Sequence, residues 1–120
     1  MAKVMVVEDD HDIRETLGDW LSREHEVCLV AGVPEALARF GDERPDVVVT
    51  DLELPPHRGD ELLATIAARD PGVVRILHTG APCRALGESW SVAHRVLKKG
   101  CDLRELSRVI REFLQNRTSP

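Results

Sequence analysis

Apolar residues along the chain fall into two alternating patterns. Short, β-branched runs recur at Lys3–Val7, Val27–Ala31, Asp46–Thr50, Val73–His78 and Arg95–Lys98, and each reads as a strand. Between them, apolar positions return at helical spacing. Ile13, Leu17, Trp20 and Leu21 lie at i, i+4, i+7 and i+8 and predict a first helix, with Asp12 and Glu15 as its capping box. Pro34 suits the first turn of a second helix that carries Leu37 and Phe40 and closes near Gly41. Leu62, Leu63 and Ile66 mark a third, ended by Asp70-Pro71-Gly72. A short, weakly patterned helix fits between Pro82 and Ser89. The last helix has the fullest stripe, Leu103, Leu106, Ile110, Phe113 and Leu114, with Asp102 and Glu105 as a capping box.

Five strands alternating with five helices predict an α/β fold: one five-stranded parallel sheet, doubly wound, in three α/β/α layers. Val47, Val48 and Val49 fit a strand buried on both faces. The 120 residues suit one domain, 1–120, and Asn116–Pro120 reads as a frayed tail.

Composition narrows the functional classes. The chain is 42% hydrophobic and 31% charged, as expected of a globular domain with one core. No apolar run approaches the roughly 18 residues of a membrane span, and MAKVMVVEDD turns acidic too soon for a secretory signal. Cys28, Cys83 and Cys101 show no metal or disulfide spacing, which points to reduced thiols and a cytoplasmic location. The net charge of −5, with no Tyr, two Phe and two Trp, offers neither a basic footprint nor a stacking platform for nucleic acid.

In open parallel sheets, ligands bind outside the carboxyl ends of the strands. This chain places Glu8, Asp9 and Asp10 after strand one, Asp51 after strand three, Thr79 and Gly80 after strand four, and Lys98 and Lys99 after strand five. Taken singly, each has an ordinary reading: a turn or helix cap for Asp51, a solvated helix start for the acids, a turn residue for Thr79, a solvated pair for the lysines. Together they form a chemical set. Clustered carboxylates repel one another, and a hard cation such as Mg²⁺ relieves that repulsion. A carboxylate nucleophile, a metal, a hydroxyl and a lysine are what phosphoryl transfer requires, with Asp51 forming an acyl phosphate. His78 and His94 read as satisfied or solvated histidines, His57 as a neighbour of the acceptor loop, Trp20 as core and Trp90 as a partly exposed contact.

The segments VMVVEDDHDIRETL, PDVVVTDLELPPHRGDELL, VVRILHTGA and RVLKKGCDLREL, in that order, resemble the receiver domain of bacterial two-component response regulators over essentially the whole chain. The resemblance implies a flavodoxin-like sheet of order 2-1-3-4-5. It implies that Glu8 and Asp9 fill the acidic-pair positions, with Asp10 one residue too far along. Asp51 matches the phosphorylated aspartate, with Pro55 and Gly59 at the family's offsets. Glu53 matches the residue whose backbone carbonyl reaches the metal, Thr79 the hydroxyl that bonds the phosphoryl group, and Lys99 the lysine that pairs with it. The implied metal set is Glu8, Asp9, Asp51 and Glu53, with Mg²⁺ as cofactor.

The implied phosphodonor is a histidine kinase or histidine phosphotransfer protein. The implied catalysis is limited to the domain's own phosphorylation and dephosphorylation. An output domain or downstream protein would read the switch, and a homodimer would use the fourth and fifth helices and the strand between them. No direct nucleic-acid or membrane binding is implied.

The chain departs from the family pattern in four places. Gly100 replaces the proline after the lysine, which predicts a trans bond and a rearranged loop, with Lys98 as the alternative partner. Val96 stands where the family carries its switch aromatic. The segment from Thr79 to Lys99 is slightly short, and Pro55-Pro56-His57 stiffens the acceptor loop. Two other readings follow. One is a degenerate receiver that binds proteins without phosphorylation. The other is a small Mg²⁺-dependent phosphohydrolase, in which Glu53 would take the place of a second aspartate.

Overall fold

The computed structural model describes residues 2–80 and 91–118. In chain order the elements are β1 (Lys3–Val7), α1 (His11–Leu21), β2 (Glu26–Val30), α2 (Val33–Glu43), β3 (Val47–Thr50), β4 (Glu53–Leu54), β5 (His57–Arg58), α3 (Gly59–Arg69), β6 (Val74–Thr79), β7 (Arg95–Lys98) and α4 (Leu103–Thr118). Five strands form one parallel sheet in the order β2-β1-β3-β6-β7, the predicted doubly wound arrangement. Val7 pairs with both Val30 and Thr50, Thr50 with Leu77, and Thr79 with Lys98, so the strands finish side by side along one rim.

Strand alternation divides the apolar residues between two cores. Met5, Val7, Val48 and Leu77 face one way and pack with Ala36, Phe40, Leu62, Leu63 and Ile66 of α2 and α3. Val4, Val6, Val47, Val49, Ile76 and Leu97 face the other way, onto Leu17 and Leu21 of α1 and Leu106, Val109 and Ile110 of α4. Trp20 is half-buried on this second side, and its indole N–H donates to Ser107 Oγ at 2.7 Å, tying α1 to α4.

Several local expectations change. The N-cap of α1 is Asp10, whose carboxylate accepts the Ile13 amide at 3.0 Å; Asp12 lies inside the first turn, and its box with Glu15 gives way to this cap. Helix α2 runs through Gly41 to Glu43 and ends on Arg44 in the left-handed region (φ 48°), whose amide bonds the Phe40 carbonyl. At α4, Asp102 accepts the Arg104 amide at 2.9 Å, so the box with Glu105 is not made. The helix also continues through the expected tail to Thr118, with Arg117 holding Asp46 and the Gly72 carbonyl. Strand β2 stops at Val30 because the Glu35 carboxylate takes the Ala31 amide at 2.8 Å. The antiparallel ribbon of β4 and β5 was not expected; its two-residue strands are too short to show a period.

Four helices occur among the described residues. The fifth expected helix, between Pro82 and Ser89, lies outside them, as do Cys83 and Trp90. No described helix is long and apolar enough to cross a membrane.

Candidate functional site

The rim at the carboxyl ends of the strands gathers the acids and one lysine. The Glu8 amide donates to Val30 (3.1 Å), the Asp51 amide to Val7 (3.0 Å) and the Lys99 amide to Thr79 (2.9 Å), so each residue is fixed by the sheet it terminates. All three continue the alternation that points toward α1 and α4. Glu8 is 1% exposed and Asp51 6%. Lys99 Nζ lies 2.8 Å from Asp51 Oδ2 and 3.0 Å from Glu8 Oε1, bridging the two carboxylates.

The remaining oxygens are held by backbone. Glu8 Oε2 accepts the Asp10 amide at 3.1 Å, and Asp51 Oδ1 accepts the Glu53 amide at 3.3 Å. Glu8 Oε1 is buried and, although close to the lysine charge, has no donor in hydrogen-bond geometry. Burial, reinforced by the Asp51 charge, pushes the Glu8 carboxyl above its usual range, against the pull of the Asp10 amide and Lys99. Burial alone would lower the Lys99 ammonium, but Asp51 and Glu8 outweigh it and hold its pKa above the usual value.

Two glycines shape this rim. A Cβ on Gly59 would sit 1.9 Å from the Asp51 carbonyl oxygen, so α3 starts in contact with the Asp51 backbone only because residue 59 has no side chain. Thr50 Oγ1 donates to that same carbonyl at 2.9 Å. Gly100 has φ +90°, and the Cys101 amide bonds the Lys98 carbonyl at 3.1 Å. These are the hydrogen bond and third-residue φ of a type II turn over 98–101. Proline, with φ near −65°, has no place there. The expected rearranged loop is therefore a glycine turn, and it delivers Lys99 to the acids; Lys98 is exposed on β7, so the alternative partner is set aside.

The structure brings Glu8, Asp51 and Lys99 into direct contact and sets Asp9 beside them. One oxygen from each of Glu8, Asp9 and Asp51 falls within 4.8 Å of the others. Thr79 is buried at the end of β6, and Glu53 is exposed on β4 with its amide on Asp51. Three hard oxygen donors, one of them buried and lacking a hydrogen bond, suit a small divalent cation.

Sequence reading missed Arg14 at this site and set His78 aside as a satisfied or solvated histidine. Arg14 donates from Nη1 to the Glu8 carbonyl at 2.8 Å. Buried His78 shares the strand parity of Asp51; burial, with Lys99 next, pushes its pKa down against the opposing Asp51 charge. Alternation along β6 was the available signal for His78. His94, as expected, is satisfied: its Nδ1 accepts the Arg75 amide at 2.9 Å.

The family model described as the response regulator receiver domain matches residues 4–111. The chain belongs to the response regulator receiver family. This receiver domain is 35% identical over 108 residues to the response regulator protein FleR of Pseudomonas aeruginosa, a match covering 88% of the chain and 23% of FleR. It is 29% identical over 103 residues to the chemotaxis protein CheY of Listeria monocytogenes, covering 83% of the chain and 81% of that protein. The CheY-like receiver domain protein of Methanospirillum hungatei superposes with a TM-score of 0.91 at 28% identity, covering 98% of this chain and 96% of that one. The response regulator protein TrrA of Thermotoga maritima, solved in complex with Mg²⁺-BeF, gives 0.87 at 26% identity, with coverages of 94% and 99%.

The first curated relatives are longer. The matched segment covers 21% of a protein-glutamate methylesterase/protein-glutamine glutaminase of Bacillus licheniformis, 34% of the DNA-binding transcriptional activator DevR/DosR of Mycobacterium tuberculosis and 23% of FleR. Family membership favours neither the phosphohydrolase reading nor the degenerate one.

Proposed function

We propose that Asp51 is the phosphoacceptor of this receiver domain and that Glu8, Asp9 and Asp51, with the Glu53 carbonyl, hold the Mg²⁺ that phosphorylation requires. The observation that carries the reading is Lys99 Nζ, 2.8 Å from Asp51 and 3.0 Å from Glu8 at the mouth of a parallel sheet. When bound, Mg²⁺ supplies positive charge to the phosphoryl oxygens.

The residues divide the rest of the work. An Asp51 carboxylate oxygen attacks phosphorus on the phosphohistidine of a histidine kinase or phosphotransfer protein. The P–N bond breaks, the imidazole leaves with its electron pair, and an acyl phosphate remains on Asp51. Lys99 stays as counter-ion, exchanging the carboxylate oxygen for a phosphoryl oxygen, and the Thr79 hydroxyl donates to another. The backbone bonds at Glu53 and Gly59 keep the Asp51 carboxylate aimed at the rim while this happens.

The new charge of about −1.5 to −2 biases the surface presented to an output domain or downstream protein. Val96 is half-buried with Val92 and Ala93 against the α2–α3 core, so no aromatic ring rotates there. The signal instead starts at Lys99 and the glycine turn that carries it.

Incubation with acetyl phosphate and Mg²⁺, followed by intact-mass measurement, tests the proposal. One phosphoryl group should be added to the wild type and none to Asp51→Asn. A folded wild type that stays unmodified would mean a module that binds without phosphorylation.

A further inference from the structure

The geometry points to Arg14 as a positioning residue that sets the cation affinity of the acidic pair. It rests on the metal site proposed above. Arg14 is the fourth residue of α1, and helical side chains lean toward the N-terminus, so its guanidinium returns over the loop that carries the acids. Nη1 donates to the Glu8 carbonyl at 2.8 Å and reaches the Asp9 carbonyl at 3.5 Å; Nη2 lies 3.2 Å from His11 Nδ1.

The two acids depend on this contact unequally. Glu8 is fixed elsewhere: its amide by Val30, one carboxylate oxygen by Asp10, the other beside Lys99. Asp9 is exposed, and the guanidinium is what bridges its carbonyl to that of Glu8. Arg14 therefore holds the loop whose second carboxylate completes the cluster with Glu8 and Asp51.

Charge and position make opposite predictions. A guanidinium held on the loop that carries the acids disfavours a second cation, so removing its charge alone would tighten Mg²⁺ binding. Removing its hydrogen bonds frees the loop and weakens binding. Groups that orient metal ligands contribute about 10–100-fold in affinity, against a partly screened charge effect at the surface, so position should win.

The test uses the full chain, titrated with MgCl₂ by calorimetry as wild type, Arg14→Ala and Arg14→Lys. Amide hydrogen exchange of the metal-free forms is followed in parallel. Lysine keeps the charge but is one atom shorter and has a single nitrogen, so it loses the His11 contact and the reach to both carbonyls. Both variants should bind Mg²⁺ about tenfold more weakly, with faster exchange at the Asp9 and Asp10 amides and an unfolding midpoint close to wild type. Tighter binding in Arg14→Ala, or wild-type affinity in Arg14→Lys, would overturn the inference. If wild type itself binds no Mg²⁺, the proposed metal site fails. Unchanged exchange in the variants would refute the positioning role separately.

Discussion

Among the described glycines, Gly59 has the least room for a side chain. Its absent Cβ leaves room for the Asp51 carbonyl, and the atom it would meet is backbone, at 1.9 Å, with no flexible side chain to yield. Gly59→Ala must push the start of α3 or the loop after Asp51 aside. A loss of about 2–3 kcal/mol in denaturant unfolding is expected, together with slower phosphorylation by acetyl phosphate; wild-type values for both would show that the loop yields freely. Gly100 is constrained differently. A Cβ there would meet nothing within 4 Å, but φ is +90°. Gly100→Ala should cost about 1 kcal/mol through backbone strain alone. Gly100→Pro should open the turn and withdraw Lys99 from Asp51, reducing acetyl phosphate reactivity well below that of Gly100→Ala. Equal reactivity of the two would mean the turn does not place the lysine.

Among the elements, α1 connects the site to the fold. Asp10 takes the Ile13 amide through its side chain while its own amide donates to Glu8, so the cap and the acidic pair share a residue. Asp10→Ala should destabilise the domain by about 1 kcal/mol in thermal unfolding; no change would show that water caps the helix equally well. The sequence pattern placed this cap two residues late, because Asp12 and Glu15 fit the spacing of a capping box while Asp10 fits only the cap itself. Strands and buried helix faces were legible because alternation and helical spacing each repeat several times. The β4–β5 ribbon was not, since two residues make no period. Glu8, Asp51 and Lys99 were legible as strand ends of known order. Arg14 was hidden because its function lies in the direction of a long side chain. The Gly100 turn was hidden because the family pattern draws attention to a missing proline, while the backbone uses glycine for a positive φ.

At the scale of the whole molecule, the rim opposite the acids is also stitched by charge. Asp46 accepts the Lys3 amide at 2.9 Å and pairs with Arg117 of α4 at 3.0 Å, joining the starts of β1 and β3 to the last helix. Burial alone would raise its carboxyl, but the Lys3 amide and Arg117 prevail and hold it below the ordinary value of 3.8. A lowered pKa means stability that is present above the unfolded value and lost as pH falls through the folded one. Asp46→Asn should therefore be less stable than wild type by about 1 kcal/mol at neutral pH, with the difference closing below about pH 4. A gap that persists into acid would assign the effect to packing.

The two rims then have separate tasks: one holds the sheet ends to α4, and the other gathers Glu8, Asp9, Asp51 and Lys99 for the proposed phosphoryl chemistry. The most direct test of that assignment is to locate the modified residue. The domain is phosphorylated in the presence of Mg²⁺, reduced with borohydride, which converts an aspartyl phosphate to homoserine, and mapped by peptide sequencing. Homoserine at position 51 alone is the predicted result; homoserine at another acid, or at none, would contradict the account.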